Sequence, residues 1–481
     1  MTMKRWRHAV AVAVVLALAA CGGGGGDDDD DTATPDNGGD DSAEETPDLP
    51  DCPLDALAAA TEPVDIEFWH AMTRANKDEL ERLTSEFNES QDKVHVNLSE
   101  SASYQDNITR YRAVLGTDDA PQLVQVEDTG LQLMIDSQTV LPAAACVAAD
   151  DYDTSDHIAR VVSYYTVQDV LWPMPFNVSN PIVYYDKALF EKAGLDPEEP
   201  PRTLDDLRAD AQAIVDSGAA PYGLAFKIHP WILEQWMAMA DHPYVNHGNG
   251  REERADAVAF GDDLGLELFT WLKDMYDDKL LLNTGGADGN IDHYLAIGNG
   301  EAAMTLDSAA ALGTIFQLLG SGQFADVELG AGPMAGPESA NGGPLVGGAA
   351  LYITTTGTPE QQAAAYEFAK FLNEPQSQAE WAAATGYIPI RKSATELEPL
   401  VGAWADQPAL RVAYDQLLGG SETEATAGPV IGPYGGSGEG VRGAMIDAIA
   451  AMFDGASAQD ALAQAVDEAN AAIEDYNSRV G

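Results

Sequence analysis

Apolar and polar residues alternate where the chain first becomes rich in apolar side chains. Val64, Ile66 and Phe68 are separated by Asp65 and Glu67. A spacing of two predicts a β-strand with one buried face. Shorter apolar runs predict further strands over 94–98, 123–126, 182–185 and 351–354. After the first strand the spacing changes to three or four, which predicts a helix with one apolar face, formed by Leu80, Leu83 and Phe87.

Capping residues mark where several helices begin and end. Thr203 is followed three residues later by Asp206, which predicts a helix start, and Gly218 predicts its end. The segment 358–361, Thr-Pro-Glu-Gln, combines a cap, a proline at the first helical position and a capping-box glutamine. Further helices are predicted around 105–116, before Gly194 and after Ser457.

Strands and helices therefore alternate along most of the chain. This order predicts an α/β fold with largely parallel sheets. Residues 52–481 are numerous enough to form two lobes, each with its own core. We see no internal repeat and, beyond the N-terminal region, no apolar run long enough to cross a membrane.

The N-terminal region has the layout of a bacterial lipoprotein signal peptide. Basic residues precede an apolar stretch over 9–20, and small residues lead to Cys21. The stretch is shorter than the roughly 20 residues of a spanning helix. We expect residues 1–20 to be removed, Cys21 to carry lipid, and the protein to lie outside the cytoplasmic membrane, held to it by the lipid alone. The alternative is an ordinary secretory signal, which also predicts export.

Residues 21–51 have the composition of a disordered acidic tether. Five glycines and five aspartates follow Cys21, and few apolar side chains occur before Cys52. Such a segment cannot bury enough apolar surface to offset the entropy lost on ordering. Contiguous aspartates also lack the spacing of a calcium-binding loop, so they predict no metal site.

The charge of the chain excludes one class of partner. It has 25 Lys and Arg against 79 Asp and Glu, a formal net charge of −54. Binding to nucleic acid depends on basic residues that neutralise phosphates, so we expect no nucleic-acid partner.

Two cysteines, Cys52 and Cys146, remain besides the predicted lipidation site. Two cysteines in an oxidising compartment can form a disulfide. Here the bond would join the start of the globular part to the first lobe. The alternative is two separate thiols.

Motifs of enzymes are scarce. The sequence contains neither a phosphate-binding loop nor a Gly-x-Ser-x-Gly turn, and His70, His229 and His293 lack the spacing of metal ligands. The glycine-rich segments 342–348 and 435–440 do not match the dinucleotide-binding pattern. We therefore predict no catalytic residues, no metal and no cofactor. An exported α/β protein of two lobes without a catalytic set is most economically a ligand receptor.

A series of short motifs runs from Val64 to Tyr476 and points to a family. The most specific are Pro175-Phe176-Asn177-Val178-Ser179-Asn180-Pro181 and Thr385-Gly386-Tyr387-Ile388-Pro389-Ile390. Broader ones are Phe68–Met72, Ser103–Asn107, Leu123–Gly130, Trp231–Glu234, Asn299–Thr305 and Gly347–Ala349. Because these motifs occur together and in this order, the chain resembles the extracellular solute-binding proteins of ABC importers, the family of maltose-binding protein. Within that family it is most similar to the binders of glycerol 3-phosphate.

The resemblance implies a two-lobed periplasmic-binding-protein fold of type II, with three crossings between the lobes. We expect the crossings near 177–180, 348–352 and 395–402. The N-terminal lobe would comprise 52–177 and 352–398, and the C-terminal lobe 178–351 and 399–481.

The resemblance also implies a set of ligand-binding residues. Tyr104 and Asp128 would meet glycerol hydroxyls, with Glu127 as a substitute because the family has the longer glutamate at position 128. Arg442 would bind the phosphate, since a guanidinium fork suits phosphate geometry. The remaining expected contacts are Ser179, Trp231, Ser308, Gly348 and Tyr387.

One position differs from the glycerol-3-phosphate binders that the chain resembles. They have a second tryptophan three residues before the one that matches Trp231, and this chain has Ile228 there. The smaller side chain leaves room for a group beyond the phosphate, so we expect Ile228 to favour glycerophosphodiesters such as glycerophosphocholine.

The expected function is capture of a glycerophosphodiester or of sn-glycerol 3-phosphate and delivery to the transmembrane subunits of an ABC permease by cleft closure. The protein is expected to act as a monomer. Two alternatives stay open. One is an oligosaccharide-binding protein of a carbohydrate importer, and the other is an extracytoplasmic phosphodiester hydrolase.

Overall fold

Two mixed β-sheets surrounded by helices form the framework of the protein. The computed structural model describes residues 48–286, 290–339, 341–433 and 439–480. The predicted signal peptide, the lipidation site Cys21 and the predicted tether as far as residue 47 lie outside the described residues.

The strands follow the chain in this order: β1 (Val64–His70), β2 (Val94–Glu100), β3 (Leu123–Glu127), β4 (Val140–Leu141), β5 (Thr166–Val167), β6 (Val170–Leu171), β7 (Met174–Ser179), β8 (Pro181–Asp186), β9 (Tyr222–Phe226), β10 (Leu281–Asn283), β11 (Ala302–Ser308), β12 (Leu329–Pro333) and β13 (Gly347–Thr354).

The helices are α1 (Leu54–Ala59), α2 (Arg74–Ser90), α3 (Tyr104–Arg112), α4 (Leu131–Ser137), α5 (Ala143–Ala149), α6 (Ala159–Tyr164), α7 (Lys187–Ala193), α8 (Leu204–Ser217), α9 (Trp231–Met239), α10 (Asn246–Gly250), α11 (Asp263–Asp277), α12 (Asp292–Gly298), α13 (Leu312–Gly320), α14 (Pro359–Leu372), α15 (Pro375–Thr385), α16 (Leu400–Asp406), α17 (Ala409–Gly419), α18 (Gly440–Phe453) and α19 (Ala458–Val480).

The first sheet has the order β2-β1-β3-β13-β4, with β7 also paired to β13. The second sheet has the order β10-β9-β11-β8-β12. Each sheet contributes to a large apolar cluster of its own. Phe68 belongs to the cluster of the first sheet, and Leu224 belongs to that of the second. The fold is thus the two-lobed α/β architecture predicted from the sequence.

The sheets are mixed, whereas the alternation of strands and helices predicted largely parallel ones. β1 pairs in parallel with β2 and β3, and β9 with β10 and β11. β13 is antiparallel to β3, β4 and β7, and β8 is antiparallel to β11 and β12. β8 and β13 follow passages of the chain between the two sheets and enter without the crossover helix that makes parallel neighbours.

The passages between the sheets can be located from the strands. The first is at Asn180, between β7 in the first sheet and β8 in the second. The second lies between β12 and β13, so the chain has returned to the first sheet by Gly347, a few residues before the expected crossing at 348–352. The expected lobe boundary at 351/352 falls inside β13. The lobe boundaries as a whole stay a prediction.

Both predicted helix starts, at Thr203 and at Thr358, carry a capping box. The Thr203 hydroxyl accepts a hydrogen bond from the Asp206 amide, and the Thr358 hydroxyl accepts one from the Gln361 amide. In each case the side chain of the third residue also accepts a hydrogen bond from the backbone of the cap. These contacts satisfy amides that the helix itself leaves without partners.

Cys52 and Cys146 form a disulfide, as predicted. The bond joins the segment before α1 to α5, 94 residues further along the chain, and the Cys146 side chain is fully buried. Within the described ranges, no helix combines the length and the apolar character that crossing a membrane requires.

Candidate ligand-binding cleft

A cleft of about 290 Å³ lies where the ends of strands from both sheets meet. The first sheet supplies the ends of β3, β7 and β13, and the second supplies the end of β11. All eight residues expected to bind the ligand, and Ile228, line this cleft: Tyr104, Asp128, Ser179, Trp231, Ser308, Gly348, Tyr387 and Arg442. The structure thus brings the expected residues together, while their contact with a ligand stays a prediction.

Arg442 lies in the first turn of α18, and it contacts two carboxylates. Its Nε and Nη2 atoms donate hydrogen bonds to the two carboxylate oxygens of Glu234, at 2.9 and 2.8 Å. Its Nη1 atom donates to Glu127 Oε1 at 3.1 Å. The side chains of Arg442 and Glu234 are 3% and 1% exposed. A buried charge of this kind requires such a partner, since desolvation penalises each ion alone.

Glu234 is a residue of the site that sequence reasoning missed. It lies within the Trp231–Glu234 motif on α9, so the motif itself was the available signal. Its two-point contact holds the guanidinium plane in one orientation. Glu127 comes from the end of β3, in the other sheet, and the Arg442–Glu127 contact therefore bridges the cleft.

Asp128 follows β3 directly and is 5% exposed. The Tyr164 hydroxyl donates a hydrogen bond to its Oδ2 atom at 3.0 Å. Burial raises the pKa of Asp128 to about 8, with Glu127 and Glu234 acting in the same direction, against the opposing charge of Arg442. At neutral pH this carboxyl group is therefore largely protonated and can donate as well as accept hydrogen bonds.

Two tyrosines form a hydroxyl cluster on the side of the first sheet. Asn177 Nδ2 donates to the Tyr104 hydroxyl at 2.8 Å, and the hydroxyls of Tyr104 and Tyr387 are 3.3 Å apart. Gln125 Nε2 donates to Asn177 Oδ1 at 2.8 Å, which fixes the amide. Burial raises the pKa of both tyrosines, so both phenols stay protonated. Asn177 and Gln125 were not predicted to support the site, although Asn177 belongs to the Pro-Phe-Asn motif.

Trp231 is the first residue of α9, and its indole is 7% exposed. Among the described residues, its buried indole nitrogen has no hydrogen-bond partner. The ring lies close to Gly347, because a Cβ atom there would come within 2.4 Å of Trp231 Cζ2. Glycine at this position lets the backbone approach the face of the ring.

Gly348 has a φ of +95°, and a Cβ atom there would lie 2.0 Å from the carbonyl oxygen of Asn177. The backbone conformation and the contact between β13 and β7 both require glycine. Ser308 also has a structural contact, since its hydroxyl accepts a hydrogen bond from the Ala310 amide at 3.2 Å. Ile228 is 5% exposed. It lines the cleft and also packs in the apolar cluster of the second sheet.

A second group of charged residues lines the cleft and was not predicted. Asp307 Oδ2 accepts hydrogen bonds from His293 Nε2 at 2.6 Å and from the Tyr294 hydroxyl at 2.7 Å. Burial acts to raise the pKa of Asp307, but the hydrogen bond from His293 and the nearby Lys227 lower it well below its usual range. Arg74 also lines the cleft. The cleft therefore holds two clusters of charged residues, one around Arg442 and one around Asp307.

The cleft offers hydroxyl donors, an aromatic wall, glycine backbone and a buried arginine. This set suits a small polar ligand with hydroxyl groups and an anionic group. In the part of the chain that the structure covers, no group of three or more His, Cys, Asp and Glu residues is arranged to hold a metal ion.

Comparisons with known proteins place this fold in a family. Residues 82–412 match the family model described as bacterial extracellular solute-binding protein. The chain is 30% identical over 424 residues to the sn-glycerol-3-phosphate-binding periplasmic protein UgpB of Rhizobium meliloti, covering 86% of this chain and 94% of that protein. It is also 30% identical over 371 residues to UgpB of Salmonella typhimurium, covering 76% of this chain and 82% of that protein.

Solved structures show the same fold at lower identity. UgpB from Mycobacterium tuberculosis in complex with glycerophosphocholine superposes with a TM-score of 0.70 at 18% identity, over 86% of this chain and 99% of that one. The cyclic α-maltosyl-1,6-maltose binding protein from Arthrobacter globiformis gives 0.66 at 22% identity, over 86% of this chain and all of that one. The protein therefore belongs to the bacterial extracellular solute-binding proteins, the substrate-binding components of ABC importers.

Proposed function

We propose that this protein captures a glycerophosphodiester, of which glycerophosphocholine is an example, or sn-glycerol 3-phosphate, and delivers it to the transmembrane subunits of an ABC permease. The observation that carries the proposal is a buried arginine in a cleft that also holds hydroxyls and an aromatic wall. The names of the relatives support the same ligands, because the UgpB proteins are glycerol-3-phosphate binders and one is described with glycerophosphocholine.

The proposed pose follows from the chemistry of the cleft. The phosphate approaches Arg442 on the side that faces the first sheet, where Glu127 now lies. The glycerol hydroxyls meet Asp128, Tyr104 and Tyr387, which donate or accept hydrogen bonds in their protonated forms. Trp231 covers the carbon skeleton, and Ile228 leaves space for the alcohol beyond the phosphate. Ser179, Ser308 and the backbone of Gly348 complete the contacts.

Isothermal titration against glycerophosphocholine, glycerol 3-phosphate and maltose tests this function. We expect the two phosphate ligands to bind and maltose not to bind. Arg442→Lys keeps the charge but loses the fork, and should weaken phosphate binding by about tenfold or more. Arg411→Lys makes the same exchange at an exposed arginine outside the cleft and is the control. Binding of maltose alone would favour the oligosaccharide alternative.

Release of choline or of glycerol from glycerophosphocholine by the purified protein, with and without added divalent metal, tests the hydrolase alternative. We expect no release above the rate of a heat-denatured sample. A rate that rises with protein concentration would contradict a pure binding function.

We further propose that lipid on Cys21 holds the protein to the outer face of the cytoplasmic membrane and that it acts as a monomer. A Cys21→Ala change should move the protein from the membrane fraction to the soluble fraction, and sedimentation of the soluble form should give the mass of one chain. Retention of the Ala variant in the membrane fraction would contradict the anchor.

A further inference from the structure

Glu127 places a second carboxylate against Arg442. It is the last residue of β3, its side chain is 22% exposed, and its Oε1 atom accepts a hydrogen bond from Arg442 Nη1 at 3.1 Å. It lines the cleft beside Asp128. An anionic group that approaches Arg442 from the first sheet therefore meets Glu127 as well.

The charge near Arg442 is already balanced without Glu127. Glu234 contacts the guanidinium through both oxygens, and neither side chain is more than 3% exposed. Asp128 adds little negative charge at neutral pH, because burial raises its pKa to about 8. Arg442 is paired with Glu234, and Arg112 and Arg479, which line a neighbouring cavity with Glu127, are paired with Glu439 and Asp475. Glu127 therefore adds a negative charge beside Arg442.

The other basic residues that line the cleft, Lys227 and Arg74, act on Asp307 and on its neighbour Tyr294, which hydrogen-bonds to Asp307. They do not lie against the Arg442 guanidinium as Glu127 does. At close range, the negative charge that repels an incoming phosphate is therefore that of Glu127.

We propose that Glu127 determines which phosphate charge the cleft accepts, favouring singly charged phosphodiesters over doubly charged phosphomonoesters. This inference rests on the proposed function and names the ligand class within it. A monoester carries close to two negative charges at neutral pH, because its second pKa is about 6. A diester carries one. The extra charge repels Glu127 over a few ångströms in a medium of effective dielectric about 20, which amounts to a preference of about tenfold or more.

Titrations of wild type, Glu127→Gln and Glu191→Gln with glycerophosphocholine and glycerol 3-phosphate test the inference. Glutamine keeps the size of Glu127 and an oxygen that accepts from Arg442. Glu191 is an exposed residue of α7 outside the cleft, so its exchange removes one charge from the same protein surface. We expect Glu127→Gln to shift the ratio of the two dissociation constants towards the monoester by about tenfold, and Glu191→Gln to leave the ratio as in wild type.

Repeating the titrations at pH 5.5 and pH 8 adds a second readout. The monoester loses most of its second charge at about pH 5.5, so the wild-type preference for the diester should shrink there. Asp128 also ionises towards pH 8, because its pKa is about 8, and it then repels the monoester in the same direction. The comparison of wild type with Glu127→Gln at each pH therefore isolates the contribution of Glu127. An unchanged ratio in Glu127→Gln, or loss of both ligands by a variant with an unaltered unfolding midpoint, overturns the inference. If wild type binds neither ligand, the proposed function itself fails.

Discussion

Arg442 can lie in the interior of the protein because Glu234 lies there with it. Neither side chain is exposed by more than 3%, and the two form two parallel hydrogen bonds. Removal of one partner leaves an uncompensated buried charge, which is costly, whereas the intact pair contributes little to stability by itself. At this scale the pair serves to hold a guanidinium in one orientation at the cleft.

Exchange of Glu234 for alanine should therefore lower the free energy of unfolding by about 3–5 kcal/mol. The double variant Glu234→Ala/Arg442→Ala should lose less than the sum of the two single changes, because neither fully buried charge of the pair is then left without the other. Urea unfolding measures these values, and Glu81→Ala, at a side chain 55% exposed on α2, is the control. Additive losses would contradict the coupling.

Asp128 should make stability depend on pH. Its folded-state pKa is raised to about 8 by burial, above an ordinary value of 3.8. Between these values the folded protein holds a proton that the unfolded chain has released, so stability falls as pH rises. Asp128→Asn cannot titrate. Its stability relative to wild type should therefore improve between pH 5 and pH 8, at up to about 1 kcal/mol per pH unit. Parallel stability curves for the two proteins would refute the shifted pKa.

At the scale of elements, the contact of β7 with β13 sets the floor of the cleft. Gly347 pairs with Ser179 and Gly348 with Val178, so two glycines lie opposite the end of the strand that leads to the second sheet. A side chain at Gly348 would meet the carbonyl of Asn177. The local sequence thus allows the two strands and Trp231 to approach closely.

Gly348→Ala should destabilise the protein by more than about 1 kcal/mol, because it adds both an unfavourable φ and a backbone collision. Gly300→Ala is a matched control, since Gly300 has a φ of +70° and no atom within 4 Å of a built Cβ. Thermal unfolding of both variants decides the point. Equal losses would show that the contact with Asn177 does not matter.

The disulfide links α5 to the start of the globular part across 94 residues. A cross-link over a long loop restricts the unfolded chain, so reduction should lower the free energy of unfolding by about 2–4 kcal/mol. Urea unfolding with and without reductant measures the loss, and the Cys52→Ser/Cys146→Ser variant should not respond to reductant. Two titratable thiols in denatured, unreduced protein, besides any at Cys21, would contradict the bond.

Local patterns predicted several elements correctly. The alternation around Ile66 marks β1, and the capping boxes at Thr203 and Thr358 mark α8 and α14, because these signals depend on neighbours in sequence. The direction of β13 could not be predicted, since it depends on which sheet the chain enters after β12. The Arg442–Glu234 pair was missed for a similar reason: its members are 208 positions apart.

At the scale of the whole molecule, two sheets place their strand ends around one cleft, and the chain bridges them near Asn180 and before Gly347. The resemblance brought Arg442 and Trp231 into one predicted site, and the structure shows both in the cleft. Their acidic surroundings, from Glu127 and Glu234, could not be predicted from the motifs alone. Their prediction requires knowledge of the three-dimensional arrangement of these residues.

The crystal structure of the protein grown with saturating glycerophosphocholine tests the central claim most directly. We predict the phosphate within about 2.7–3.2 Å of the Arg442 guanidinium, with the glycerol hydroxyls towards Asp128 and Tyr104 and the carbon skeleton against Trp231. A phosphate bound to Lys227 without contact to Arg442, or a cleft without the ligand under these conditions, would contradict the account.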